Sequence, residues 1–134
     1  MKIQTIFKGP VKKSLVNKIP ERIAIAPMVD VSDTYFRHFM RSMSKHVFLY
    51  TEMLNEHAIL YGKDKLLDFT ECQHPVVCQI GGNDPQKVSE AAKIVEKAGF
   101  DEVNLNCGCP SHKTITGCFG ARLMFDPHLV ANIC

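Results

Sequence analysis

Residues 75–106 read PVVCQIGGNDPQKVSEAAKIVEKAGFDEVNLN, and this stretch decides the fold. Pro75-Val76-Val77-Cys78-Gln79-Ile80 is a short apolar run closed by Gly81-Gly82, the pattern of a buried strand. Asp84 then offers a side-chain N-cap, Pro85 suits the first helical position, and Gly99 suits the C-terminal cap. Between them Val88, Ala91, Ala92, Val95 and Ala98 recur at helical spacing and predict one buried face. Asp101–Asn106 returns to strand alternation, with Val103 and Leu105 on one side and Asn104 and Asn106 on the other. A strand, a helix and a second strand in this order predict a parallel βαβ unit, because parallel strands need a crossover.

Outward from this unit the pattern repeats. Ile23-Ala24-Ile25-Ala26 before Pro27 predicts a buried strand. Ser32 and Asp33 then offer caps for a helix with an apolar stripe of Phe36, Phe39, Met40 and Met43. His46–Tyr50 reads as a strand leading into Thr51-Glu52-Met53, followed by a short helix over Asn55–Tyr61 that Gly62 stops. Asp126-Pro127 repeats the start seen at Asp84-Pro85, and the helix predicted there reaches Cys134 after about two turns. Four βα units at about 25-residue spacing imply an α/β fold with a parallel sheet. An open doubly wound sheet and a (β/α)8 barrel of TIM type both satisfy that. The amide face Asn104/Asn106 favours the barrel, where inward polar residues at the strand ends meet ligand. A closed barrel takes roughly 250 residues. The expected architecture is therefore a truncated half-barrel of about four βα units over residues 23–134, preceded by a lead over residues 1–22.

Composition narrows the class. Hydrophobic residues make up 46% and charged residues 22% of the 134, a globular profile. No apolar run approaches the roughly 20 residues of a membrane span, so no membrane partner is expected. The net charge of +2 hides an asymmetry: residues 1–22 carry six Lys/Arg and one acid, Glu21, whereas the remainder carries 10 basic and 13 acidic residues. The body is thus no basic nucleic-acid clamp by charge alone. The lead reads equally as a solvated tail, an RNA-contacting arm or an organelle-targeting segment. The six cysteines, at 72, 78, 107, 109, 118 and 134, include no C-x-x-C pair and follow no secretory signal, which predicts reduced, mostly buried thiols. The histidines at 38, 46, 57, 74, 112 and 128 show no ligand spacing, so no metal site is expected.

The densest chemistry is Asn104-Leu105-Asn106-Cys107-Gly108-Cys109-Pro110-Ser111, at the catalytic end of a predicted barrel strand. Gly108 permits a tight turn and Pro110 stiffens its exit, which presents Cys109 at a defined place. A thiol with a pKa of about 8.5 is mostly protonated at neutral pH and serves as a general acid as well as a latent nucleophile. The opposing reading of Cys109, and the plainer one of Cys107, Cys72, Cys78 and Cys118, is a small buried apolar side chain.

Four runs in order, APMVDVSDTYFRHF (26–39), YTEM (50–53), HPVVCQIGG (74–82) and DEVNLNCGCPSHKTITGCFGARLM (101–124), resemble the tRNA-dihydrouridine synthases, particularly the bacterial A-type subgroup. The resemblance implies a cytoplasmic enzyme with FMN at the barrel mouth, NADPH as its reductant and tRNA as substrate. It implies hydride transfer to C6 of a uridine and protonation of C5 by Cys109, giving 5,6-dihydrouridine. It further implies that Pro27, Met28, Gln79 and Asn106 bind the cofactor. Arg37 lies in a matching run, where contact with RNA phosphate and a solvated surface position are both open. Lys113, beside the loop of Gly117 and Gly120, is a second candidate for RNA contact. Arg122 and Cys107 fill positions where the family varies, so no role carries over to them. The lysine, histidine and phosphate-binding loops that the family uses later in its barrel have no counterpart here, which implies weak FMN binding by residues 1–134 alone. The alternatives are another FMN-dependent TIM-barrel oxidoreductase acting on a free pyrimidine, and a non-catalytic fragment.

Overall fold

Alternating apolar strands and amphipathic helices build one four-stranded parallel sheet, β1 (Ala24–Ile25), β2 (Phe48–Asn55), β3 (Val76–Gly81) and β4 (Glu102–Leu105), paired in chain order. The computed structural model describes residues 23–62 and 64–134; the basic lead over residues 1–22 lies outside them. Helices α1 (Thr34–Met43), α2 (Glu56–Tyr61), α3 (Pro85–Ala98), α4 (His112–Thr116) and α5 (Pro127–Ile133) alternate with the strands. Sequential parallel strands with a helix in each crossover are the arrangement of consecutive units in a partial TIM-type barrel.

The predicted β3-α3-β4 unit is the centre of the molecule. Every residue of β3 is buried. Val76, Cys78 and Ile80 join Val103 and Leu105 in a core shared with Val88, Ala91 and Val95 of α3. Asp84 Oδ1 accepts the N–H groups of Gln86 at 3.0 Å and Lys87 at 3.2 Å, satisfying two donors left open at the helix start. Gly99 ends α3 at φ 97°, a conformation that disfavours a side chain. Ala98, expected on the buried face, is exposed, because the helix terminates there and the chain turns away.

The first unit departs further from expectation. β1 is short and pairs with β2 alone, so Ile23 is 73% exposed and Ala24 is exposed rather than buried. Asp33 caps α1 by accepting from Phe36 N–H at 2.8 Å, while Ser32 turns back to Met28. Of the stripe Phe36, Phe39, Met40 and Met43, Phe39 and Met43 are exposed, and the buried residues of α1 are Arg37 and Arg41. The two arginines turn to carbonyl and amide oxygens of the loops, while Met40 and Met43 border Ile23, Ile25 and Val47 beside β1. Arg37 donates from Nε to Gln73 Oε1 at 3.0 Å, from Nη1 to the Ser32 carbonyl at 2.7 Å and from Nη2 to the Asp68 carbonyl at 2.9 Å. Arg41 donates to the Gln73, Pro75 and Ser44 carbonyls. Burial lowers the pKa of both guanidinium groups, with Asp33 opposing it at Arg37 and Asp101 at Arg41. Arg37 is thus not a solvated surface residue; it is 4% exposed and its guanidinium is committed to the protein's own oxygens.

Replacing Arg37 by Met keeps side-chain bulk and removes three charge-assisted bonds. Arg37→Met is expected to lower unfolding free energy by roughly 2–3 kcal/mol, measured by urea denaturation. A loss under about 0.5 kcal/mol, as for an ordinary surface site, would contradict the clamp.

Candidate active site

Inward amides at the C-terminal ends of β3 and β4 set the geometry. Gln79 and Asn104 are register partners on neighbouring strands, which places their side chains next to each other on the face opposite α3. Gln79 Nε2 donates to Asn104 Oδ1 at 2.8 Å, and Asn106 Nδ2 donates to Gln79 Oε1 at 2.8 Å. Asn106 Oδ1 in turn accepts the N–H of Cys109 at 2.9 Å and of Gly108 at 3.2 Å. Three amides therefore connect the sheet to the backbone of the cysteine loop. Gln79 is 7% exposed, so its pairing answers the cost of burying an amide.

A second set of bonds holds the loop from its far side. Ser111 caps α4, Thr114 Oγ1 donates to the Cys109 carbonyl at 2.8 Å, and Ala121 N–H donates to the same oxygen at 2.9 Å. Gly120 adopts φ 65°, and a side chain there would come within 2.5 Å of the Cys109 carbonyl. At Gly81 the Phe119 ring occupies the space of a side chain, so the segment after α4 folds down onto the end of β3.

The two neighbouring thiols are driven apart. The Ser111 hydroxyl and N–H, with a smaller contribution from Thr114, lower the Cys109 pKa by hydrogen bonding to its sulfur. Cys107 continues the outward parity of Val103 and Leu105, packs against the core, and has its pKa raised by burial. Buried Cys78 is pushed up to about 12. Cys72, Cys118 and Cys134 are exposed, contrary to the expectation of mostly buried thiols: Cys72 lies in a single 3-10 turn over Glu71–Gln73, Cys118 in a turn and Cys134 at the end of α5.

The structure brings most of the expected site to one end of the sheet. Pro27 and exposed Met28 follow β1, and the loop is closed by Met28 N–H and Ser32 Oγ at 2.5 Å. Asp30, at φ 62°, donates its N–H to the Glu52 carboxylate and ties this loop to β2. Lys113 is exposed on α4. Arg37 stands apart from the group, behind the Met28 loop and bonded to its Ser32 carbonyl. Sequence reasoning placed Asn104 on the amide face at the mouth without assigning it a contact, and did not single out Glu52, Ser111 or Thr114 as site residues. Glu52 lay in the quoted YTEM run and Ser111 next to the cysteine motif, whereas nothing local marked Thr114.

Comparison with known proteins follows the same boundaries. The family model described as dihydrouridine synthase matches residues 24–134. A tRNA-dihydrouridine(20/20a) synthase of Synechocystis sp. is 48% identical over 111 residues, covering 82% of this chain and 33% of the relative. Those of Vibrio vulnificus and Salmonella typhi are each 47% identical over 111 residues, covering 83% of this chain and 34% and 33% of the relatives. The chain spans about a third of the length of these curated relatives.

The sulfur environment makes two checks available. Alkylation of Cys109 by iodoacetamide, followed by peptide mass spectrometry, should rise with pH at a midpoint below that of an ordinary thiol, and Ser111→Ala should move it upward; Cys107 should react later than Cys109 at every pH. Gly120→Ala should cost at least about 1 kcal/mol from the left-handed conformation alone, read as a lower urea midpoint.

Proposed function

The chain belongs to the dihydrouridine synthase family, and from that premise we propose that it forms the N-terminal part, residues 23–134, of a flavin-binding (β/α)8 barrel that reduces uridine in tRNA to 5,6-dihydrouridine. The observation that carries this is the amide relay Asn104–Gln79–Asn106, which ends on the backbone of Cys109. In this reading NADPH is the reductant and the enzyme works in the cytoplasm; no described helix is long and apolar enough to cross a membrane.

The residues present suit FMN. Asn104 Nδ2 has no hydrogen-bond partner among the described residues and is not buried, so the mouth offers an amide donor to a ring rich in carbonyl and imine acceptors. Met28, 37% exposed, offers an apolar side chain at the same end of the sheet. Pro27, Met28, Gln79 and Asn106 would hold the ring, with Asn104 as a further contact. FMN, when bound and reduced, supplies the hydride that adds to C6 of the uracil. Cys109 Sγ gives its proton to C5, and Asn106 fixes the loop that carries it. The Ser111 hydroxyl and N–H stabilise the thiolate left behind, which makes the thiol a better acid. The base must leave its stack to enter such a site, as in other base-modifying enzymes. Lys113, without a carboxylate partner among the described residues, meets RNA phosphate.

The test is dihydrouridine formation on unmodified tRNA with FMN and NADPH, in this chain extended by the remaining barrel of a curated relative. Cys109→Ala should lower the rate by about 100-fold or more, the scale of general acid catalysis, while Cys107→Ala stays within severalfold. The reverse pattern would overturn the assignment. Activity requires the protonated thiol, so it should fall as pH rises through the lowered Cys109 pKa. Ser111→Ala should shift that limb to higher pH.

A further inference from the structure

Beside the cysteine loop lies a groove of about 620 Å³ that the proposed chemistry does not use. Ligand sites commonly span about 300–1,000 Å³. It is lined by Pro110, Ile115, Cys118, Arg122 and Phe125, with Asn83 from the loop after β3. Phe125 is 89% exposed, the most exposed of the large hydrophobic side chains described. Asp126 also lines the groove, but its Oδ1 is engaged by the Leu129 N–H at 2.9 Å. The local charge contrasts with the rest of the body. Residues 23–134 hold more acids than bases, yet between Glu102 and Asp126 there is no Asp or Glu, only Lys113, Arg122 and His112. Neither Lys113 nor Arg122 forms an ion pair among the described residues.

An exposed aromatic ring beside an unpaired guanidinium in an acid-free segment is the composition of a single-strand nucleic-acid platform, where a base stacks and a phosphate pairs. We propose that this groove is a subsite for one nucleotide next to the target uridine, its base stacked on Phe125 and its phosphate held by Arg122. Two features select RNA over an apolar protein partner: Arg122 offers a guanidinium with no ion pair among the described residues while Asp126 is turned to the start of α5, and Pro110 is both a lining residue and the residue after Cys109, so the groove adjoins the place where a base would meet Cys109. The subsite rests on the tRNA reading given above. It adds a contact made by side chains at positions 122 and 125, which set how tightly the flanking strand is gripped.

The experiment is fluorescence anisotropy of the chain with two labelled probes, unmodified tRNA and a uridine-rich single-stranded RNA. Arg122→Ala and Phe125→Leu should each weaken binding roughly tenfold, within the range for loss of one stacked base or phosphate contact. Arg122→Ala should also reduce the slope of log K against log salt by about 0.7, the single-strand value for one phosphate. Phe125→Trp should retain affinity, because it keeps a stacking face; a merely apolar contact would instead tolerate Phe125→Leu. Both side chains are exposed, so circular dichroism and thermal midpoint should not change. Unchanged affinity in both loss variants, equal tolerance of Leu and Trp, or absence of RNA binding by the unsubstituted chain would each overturn the subsite. Dihydrouridine formation by the extended protein judges the enzymatic reading separately. Rim variants that lose affinity while no preparation makes dihydrouridine would keep the subsite and sink that reading.

Discussion

The contact on which the described site depends is the amide pair between Gln79 and Asn104, side by side on adjacent parallel strands. A buried amide must find partners, since leaving a donor or acceptor open costs about 1–3 kcal/mol. Gln79 meets this demand twice over, through Asn104 on one side and Asn106 on the other. Asn106 then has one oxygen left, and two backbone N–H groups of the cysteine loop take it. Satisfying a buried polar group in the sheet thereby fixes the position of Cys109, several residues past the strand. The loop is not free to choose its own conformation, and rigid placement is what the role proposed for Cys109 requires.

Much of this was legible in the sequence because it is local. The boundaries of α3 follow from Asp84, Pro85 and Gly99, each of which acts within a turn of its own position. The opposite parity of Asn104 and Val103 follows from the strand period. The inward amides were likewise readable, since polar residues at the end of an apolar strand need a reason to be there. What was not legible depends on distance along the chain. Arg37 finds Gln73 and the Asp68 carbonyl 36 and 31 residues away, and no periodicity reports that. The apolar stripe of α1 is only partly covered, with Phe36 and Met40 half-buried and Phe39 and Met43 exposed, for the same reason. Helical spacing shows which residues share a side, and only the partner decides which side is covered.

The arginine clamp and the amide relay are the same device in different chemistry. In both, a polar side chain inside the fold is kept by several oxygens or N–H groups, and in both the beneficiary is a loop at the C-terminal end of a strand. Arg37 holds the Ser32 carbonyl, and Ser32 bridges back to Met28 after β1. Glu52 fixes the next turn of that loop by accepting from Asp30, whose left-handed backbone an aspartate tolerates better than most residues. Hydrophobic burial is concentrated around β3, β4 and α3. The mouth loops rely on directed bonds instead, which specify geometry more sharply than apolar contact does.

Strand parity settles the relation of the two adjacent thiols. Counting from buried Val103 and Leu105, Cys107 falls on the helix side, where it packs against the core and is disfavoured as a thiolate. Gly108 breaks the count, and Cys109 comes out against Ser111, whose hydroxyl and N–H favour the ionised form. Two residues of sequence separate sulfurs with opposite electrostatics, so the ability to give up a proton belongs to the loop and not to the cysteine as such. The contrast between the two sulfurs needs only the alternation of β4, the turn at Gly108 and the hydrogen bonds of Ser111. It also accounts for why the pair need not be read as a disulfide or a metal clip, since one sulfur points into packed side chains while the other meets polar donors.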